Sequence, residues 1–267
     1  MARSLETFLP DRAIALIKEN LPLVCRMDYE PQPILLNIES SLEYNIRLHS
    51  CAKEPDTVKW IEEYVRAGDV LFDIGANVGA YSLVAAKATR GKATVYAFEP
   101  AFPNFAQLCQ NIFLNDCGRS IIPLPIALSD HTTLDQLNYN NLTAGGALHA
   151  FGKAIDFKDH PFEPVFQHRV LSYRLDDFLS QFRIAPPNHL KIDVDGIELA
   201  ILRGGSDTLS NPSVKSILVE VDEGLPAVTE ILDFLTGKGF ELKDKQKYVY
   251  GDRYEHLSTI FNYLFVH

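Results

Sequence analysis

The sequence predicts an α/β protein built on a Rossmann-like, mostly parallel sheet, and three observations predict it. From residue 70 onward, apolar strand-like runs alternate with helical patterns, the arrangement that buries a parallel sheet between helices. The first strand, Val70–Ile74, carries Asp73 near its end and runs into the turn Gly75-Ala76-Asn77-Val78-Gly79. The second runs through Tyr96-Ala-Phe-Glu99, putting an acid about twenty residues past the turn, where it is placed to accept hydrogen bonds from a ribose diol. The turn lets backbone approach a ligand closely, and the helix that follows offers unpaired N–H groups and a partial positive charge. Together these predict a nucleoside cofactor.

Each element has its own signal. Leu5, Phe8, Leu9, Ile14, Leu16 and Ile17 mark a short helix, an interruption at Pro10-Asp11, and a second helix capped by Asp11. Ile34–Ile38 and Tyr44–Leu48 read as two strands of a hairpin joined by the polar turn Glu39-Ser40-Ser41. Asp56 caps a helix through Trp60, Ile61 and Tyr64 that ends at Gly68. The core continues with a helix over Ala80–Thr89, a strand Ala93–Phe98, a helix over Asn104–Asn115 and a strand Ile121–Ala127. Residues Leu128–Phe166 are rich in Asn, Gly, His and Pro and break the alternation, which predicts an insertion with short strands at most. A helix Arg174–Phe182, a strand Leu190–Val194, a helix Glu198–Leu209 and a strand Ser216–Val221 resume it. A helix Pro226–Thr236 is stopped by Gly237, and Phe240–Leu242, Lys247–Tyr250 and Thr259–Val266 complete the sheet.

Bulk properties exclude several partners. With 25 Lys+Arg against 35 Asp+Glu, the 267-residue chain has a formal charge of −10, against the basic footprint that a nucleic-acid partner requires. Cys25, Cys51, Cys109 and Cys117 have neither disulfide-framework nor metal-ligand spacing, which suits a reducing cytoplasm. Met1 to Pro10 lacks the apolar run of a signal peptide, and no stretch approaches the roughly 20 apolar residues of a membrane span. The sequence predicts a soluble cytoplasmic protein.

The turn separates the nucleoside cofactors. A dinucleotide fingerprint, G-x-G-x-x-G, needs bare backbone where Asn77 stands, and no G-x-x-x-x-G-K-[ST] phosphate loop occurs. Asp73 is awkward beside a pyrophosphate and comfortable beside an amine. S-adenosylmethionine has an amine, a ribose and a sulfonium, and no phosphate. A nicotinamide-dependent dehydrogenase remains the alternative enzyme, and a cofactor-binding protein without turnover the alternative outside catalysis.

Lys191-Ile192-Asp193-Val194-Asp195-Gly196-Ile197-Glu198 is the second informative run. Alternation along a strand puts Lys191, Asp193 and Asp195 on one side. A central parallel strand is covered on both faces, so these charges are costly unless they open into a cleft. The next strand ends similarly in Glu220-Val221-Asp222-Glu223.

These residues resemble the FkbM-type S-adenosylmethionine-dependent methyltransferases. The matching stretches are Lys53-Glu54-Pro55-Asp56-Thr57 with Trp60, Asp73–Gly79 with Tyr81-Ser82, and Phe98-Glu99-Pro100 with Asn111 and Asn115. Ala127-Leu128-Ser129-Asp130 and Leu190–Gly196, then Glu198 and Leu202, complete the set, which covers roughly residues 50–225. The family usually has Glu where this chain has Asp195. The resemblance implies a class I methyltransferase fold, a seven-stranded sheet with an antiparallel last strand, and O-methylation of a sugar or polyketide hydroxyl. On this reading residues 1–52 are an N-terminal helical and β-hairpin extension, and residues 53–267 the methyltransferase domain with its insertion at about 128–167.

The expected cofactor residues are Asp73, Gly75, Asn77, Gly79, Tyr81, Ser82, Glu99, Pro100, Ala127, Leu128 and Asp193. In-line attack of a hydroxyl on a sulfonium methyl needs alignment, water exclusion and a proton acceptor. Asp193 is the first candidate for accepting the proton or orienting the hydroxyl, Asp195 the second, with Lys191 holding the carboxylates in place. Asp193, Asp195, Glu220 and Asp222 could also share a divalent cation, but acids on adjacent strands can equally grip Lys191, and no metal is predicted. The acceptor is expected to be a small-molecule or glycan hydroxyl. His131, His149, His160 and His168 fit no metal motif and read as surface loop histidines. Tyr139 and Phe151 either line an acceptor pocket or pin the loop to the core.

Overall fold

The computed structural model describes residues 10–155, 160–247 and 259–267. The chain begins with α1 (Asp11–Asn20), β1 (Leu23–Arg26), β2 (Leu35–Ile38), α2 (Ser41–Asn45), a 3-10 turn at Arg47–His49, α3 (Ser50–Lys53) and α4 (Pro55–Tyr64). It continues through β3 (Val70–Ile74), α5 (Ala80–Ala88), β4 (Thr94–Phe98), α6 (Phe102–Leu114) and β5 (Ile121–Leu124). Next come β6 (Ala127–Leu128), β7 (Thr133–Tyr139), β8 (Ala150–Phe151), β9 (Phe166–Tyr173) and α7 (Leu175–Phe182). The last elements are β10 (His189–Ile192), α8 (Glu198–Gly204), β11 (Ser216–Asp222), α9 (Ala227–Gly237), β12 (Glu241–Lys247) and β13 (Ile260–Val266).

Seven strands form the main sheet in the order β12-β13-β11-β10-β3-β4-β5. The pairs from β11 to β5 are parallel, and β13 runs antiparallel to both β11 and β12. Side chains alternate between two cores. Phe72, Ile74, Leu190 and Ile192 join the core under α7, α8 and α9, while Leu71 and Val95 join the one under α4, α5 and α6. Asp73 and Lys191 stand on that second face, opposite each other in register. The chain order reverses between β3 and β10, and such a switch point leaves a crevice at the strands' C-terminal ends.

The N-terminal region departs from the expected hairpin. β2 pairs with β1, an element the sequence reading lacks, and Tyr44–Leu48 is helical and 3-10 instead of a strand. A capping box explains it. The Glu43 N–H donates to Ser40 Oγ at 3.0 Å, and the Glu43 carboxylate accepts from the Ser40 N–H at 2.9 Å. Met27, Ile34, Leu36 and Leu48 share a core with Trp60 and Val84, each such burial contributing about 1.5–3 kcal/mol. Asn115, which caps α6, and Asn111 within it accept the N–H groups of Leu35 and Asn37 on β2, at 2.9 and 2.8 Å.

The insertion is more ordered than expected. β6, β9, β7 and β8 make a four-stranded sheet, with β7 and β9 paired over seven registered positions from Thr133↔Ser172 to Tyr139↔Phe166. Smaller corrections follow from local geometry. β5 stops at Leu124 and Ala127 joins the second sheet; β10 stops at Ile192; α8 stops at Gly204. Asp11 and Asp56 lie inside their helices, after Pro10 and Glu54, and α4 ends at Tyr64. Gly237 is the last residue of α9, and the left-handed turn is made by Gly239 at φ +92. The expected Phe240–Leu242 strand is part of β12, which runs on to Lys247; residues 248–250 of the expected Lys247–Tyr250 strand and the helix expected near Leu5 lie outside the described residues.

Candidate active site

A cavity of about 920 Å³ opens at the C-terminal ends of β3, β4, β10 and β11. That lies at the upper end of the roughly 300–1,000 Å³ of small-molecule sites, room for a cofactor and an acceptor together. Its walls are the turn after β3, Glu99 and Pro100 after β4, the loop after β10, and β6; residues 42–53 supply a further wall.

Every N–H of the glycine turn is committed within the protein. Gly75 and Ala76 both donate to the Phe98 carbonyl at 3.0 Å, and Gly79 donates to Ala76 at 2.8 Å. The Asn77 N–H donates to Glu99 Oε2 at 2.8 Å, and the Val78 N–H donates to Asn77 Oδ1 at 3.0 Å. A pyrophosphate needs such donors free, so this turn is no dinucleotide nest. The glycines answer to packing. A Cβ on Gly75 would stand 1.9 Å from the Asp193 carbonyl oxygen, and one on Gly79 would stand 2.5 Å from Leu108. The room that a ligand would take beyond these two glycines is filled by the protein itself.

Glu99 is buried and accepts a second backbone N–H, from Ala101, at 2.8 Å. Burial nonetheless pushes its carboxyl up to about 7, so further donors would favour its ionised form. A ribose diol brings two donors. The chemistry of the donor set therefore fits S-adenosylmethionine: a carboxylate for the diol, further carboxylates for a cation, and no phosphate cradle.

Because β10 ends at Ile192, Asp193 and Asp195 stand in the loop beyond it. Burial penalises the Asp193 charge, but the Lys191 ammonium at 2.5 Å outweighs it and holds the carboxyl below its usual range. Burial and then the Asp193 charge push Asp195 up to about 6. Glu198, at the start of α8, is pushed by burial to about 8. Carboxyl groups whose environments drive their proton affinities apart are the pattern expected of acid–base chemistry.

A buried polar layer supports this loop from below. Lys191 is 2% exposed and packs 4.9 Å from the Tyr81 ring, and Ser82 Oγ donates to Asp73 Oδ2 at 2.5 Å. Burial by itself lowers the proton affinity of Lys191; the Asp193, Glu54 and Asp73 carboxylates outweigh it and hold the ammonium above its ordinary value. Of the expected cofactor residues, Gly75, Asn77, Glu99, Pro100, Ala127, Leu128 and Asp193 line the cavity, whereas Asp73, Gly79, Tyr81 and Ser82 stand behind its wall. Asp195 lines it and Lys191 lies beneath. Glu220 and Asp222 line it too, yet among the described residues no three His, Cys, Asp or Glu side chains gather as a metal site.

Residues 141–149 form a strap across the cavity that local sequence does not reveal. The Gly146 carbonyl accepts from Asn77 Nδ2 at 2.7 Å and Asn104 Nδ2 at 3.0 Å. Gly145 takes Arg47 Nη2 on its carbonyl at 2.7 Å and donates its N–H to Asn104 Oδ1 at 2.9 Å. The His149 N–H donates to Asp195 Oδ2 at 3.1 Å. Asn77 thus joins the glycine turn to the strap, which gives an amide in this glycine motif a structural role. His149 is no surface histidine: it lines the cavity, packs 4.9 Å from the Tyr139 ring, and burial lowers it to about 4. His168 stacks on the same ring at 5.4 Å. Tyr139 is fully buried and pins the loop, while Phe151 lines the cavity. Glu198, Arg47 and Asn104 are among the wall residues that the sequence reading left without a role; of these three only Glu198 carried a signal, three residues after Asp195.

Comparison with known proteins agrees with this geometry. The family model "Methyltransferase FkbM domain" matches residues 73–242. The hexuronic acid methyltransferase AglP of Haloferax volcanii is 26% identical over 194 residues, 72% of this chain and 73% of that protein. The 31-O-demethyl-FK506 methyltransferase FkbM of Streptomyces tacrolimicus is 28% identical over 202 residues, 68% of this chain and 76% of that protein. In fold, a Clostridium thermocellum protein described as an rRNA methylase superposes with a TM-score of 0.50 at 11% identity, covering 79% of this chain and 93% of that one. The chain belongs to the FkbM methyltransferase family and is an S-adenosylmethionine-dependent methyltransferase.

Proposed function

We propose that the protein methylates a hydroxyl of a small molecule or glycan, either a sugar or a polyketide-like compound. One observation carries this reading: Glu99, Asp193, Asp195 and Glu198 line a single cavity whose glycine turn has no free N–H for a phosphate. Relatives named for a hexuronic acid and for a 31-O-demethyl compound support an oxygen acceptor.

Bound at the turn, S-adenosylmethionine supplies an electrophilic methyl group on a cationic sulfur. Glu99 would accept hydrogen bonds from the ribose diol, and Pro100, Ala127 and Leu128 would offer apolar wall beside it. Asp193, kept ionised by Lys191, would stand among the residues that hold the cofactor and would orient the acceptor hydroxyl. Asp195 holds the strap, and the strap with residues 42–53 excludes water so that alignment controls the rate. The cytoplasm suits this reading, since Cys25, Cys51, Cys109 and Cys117 are all free thiols. Among the described residues no helix is long and apolar enough to cross a membrane.

The test is methyl transfer from tritium-labelled cofactor to a panel of hexosides, hexuronates and hydroxylated polyketides. A labelled ether is expected from at least one class. Asp193→Asn should lose more in rate than in cofactor affinity, roughly 100-fold in rate through misplacement of the acceptor hydroxyl. Tight cofactor binding without transfer to any panel member would instead identify a binding protein that does not turn over.

A further inference from the structure

The three carboxylates beyond β10 have different partners. Asp193 is held by the Lys191 ammonium at 2.5 Å, and Asp195 by the strap, through the His149 N–H at 3.1 Å. Glu198 Oε1 is held by its own turn, accepting the Gly196 N–H at 3.1 Å. All three line the cavity. Asp193 therefore stays an anion through its cation, and Asp195 is committed to the strap. Glu198 can gain or lose a proton without releasing either.

We propose that Glu198 takes the acceptor hydroxyl's proton during methyl transfer, and that a cationic cofactor in the cavity arms it. This rests on the cavity being the S-adenosylmethionine site. The acceptor oxygen bonds to the methyl carbon as the carbon–sulfur bond breaks, its electron pair staying on sulfur to leave a neutral thioether. The hydroxyl proton passes to the Glu198 carboxylate and from there to water at the cavity mouth.

The charges around Glu198 support this role. Asp193 and Asp195 on its own loop, with Glu220 and Asp222 on β11, are carboxylates, and the strap's His149 is held neutral by burial. Arg47 also lines the cavity but is hydrogen-bonded to Gly145, while Arg203 and Glu230 pair with each other at 2.6 Å. Burial leaves Glu198 largely protonated at neutral pH, at about 8. A sulfonium beside it favours the carboxylate and brings the group toward the operating pH, where a base is most effective. The loaded enzyme has its base, and the unloaded one keeps it capped.

S-adenosylmethionine and S-adenosylhomocysteine share an amine, a carboxylate and a ribose, and differ by the charged methyl. Calorimetric titration of both into the full chain from about pH 6 to pH 9 isolates that charge. In the wild-type protein the affinity ratio should shift toward S-adenosylmethionine about tenfold as pH rises through this window, the change that a one-unit shift in Glu198 produces. Glu198→Gln should flatten the step near pH 8 and Glu198→Asp should retain one. The variants are also compared in methyl transfer to the panel member that the wild type uses fastest, where Glu198→Gln should be slower by roughly 100-fold or more. A step near pH 8 that is unchanged in Glu198→Gln, or a flat wild-type ratio, overturns the Glu198 role and leaves the cofactor site standing. Failure of both ligands to bind wild-type protein overturns the cofactor site and this role with it.

Discussion

At the N-terminal ends of β3, β10 and β11 stand Asp69, His189 and Ser216; beyond the opposite end of β10 stand Asp193, Asp195 and Glu198. The lower group has the residue types of a hydrolase triad and its connectivity. His189 Nδ1 is 2.7 Å from Ser216 Oγ, and its Nε2 is 3.2 Å from Asp69 Oδ2. But Ser216 is 0% exposed and its Oγ accepts the Trp60 indole N–H at 3.0 Å. Asp69 also takes the Lys215 ammonium at 2.7 Å and the Arg66 N–H at 2.8 Å, partners that outweigh burial and hold its carboxyl down. None of these residues lines the cavity. The upper group lines it, and burial raises two of its carboxyls. Residue types do not make a site; proton affinity displaced beside open space does.

The largest expected contrast is between the two lysines. Lys191→Met leaves the buried Asp73 and the partly exposed Asp193 without the ammonium beside them, which should cost about 3 kcal/mol, the low end for a buried pair. Lys215 is half exposed, so Lys215→Met should cost less than about 1 kcal/mol. Urea unfolding of both variants measures the difference, and equal losses would mean that charge does not hold the upper layer. Ser216→Ala comes next. It strips a partner from Trp60 and from His189 and should cost about 1–3 kcal/mol of stability. Turnover per folded molecule should stay unchanged, and a stable but inactive Ser216→Ala would make the lower cluster functional.

How much of this was legible follows from the range of each interaction. The Asp73–Gly79 turn, Glu99 and the Asp193–Asp195 run were readable because strand period, turn chemistry and acid placement are local. Ser40 and Glu43 were readable as a capping box, but the apolar spacing of Tyr44–Leu48 suggested a strand. β7 and β9 carry alternation that the surrounding Asn, Gly and Pro obscured. The strap's bonds join residues up to 104 positions apart, as from Ser40 Oγ to the Ala144 carbonyl at 2.8 Å. No local pattern encodes such a distance, so the roles of Asn104, Arg47 and His149 emerge only from the fold.

The smallest effect separates the clusters by pH. Burial lowers His189 below its ordinary 6.5, so the stability gained from its neutral form is full above that value and lost as pH falls below it. Glu198 has the opposite sign. Its folded-state value is raised from 4.5 to about 8, so its contribution is full below 4.5 and lost as pH rises through about 8. Thermal unfolding from about pH 5 to pH 9 should decline at both ends, and Glu198→Gln should lessen only the alkaline decline, to which Glu99 and Asp195 also contribute. An alkaline decline unchanged in Glu198→Gln would place the raised proton affinity elsewhere.

The central claim is that the acid-tipped end of β4 and the committed glycine turn make an S-adenosylmethionine site, and calorimetric titration of Glu99→Ala tests it most directly. Losing charge-assisted hydrogen bonds to a diol costs about 1.5–3 kcal/mol. The variant, confirmed as folded by its unfolding transition, should therefore bind S-adenosylmethionine at least about tenfold more weakly than the wild type. Unchanged affinity in a folded Glu99→Ala protein would contradict the assignment and move the ribose away from β4.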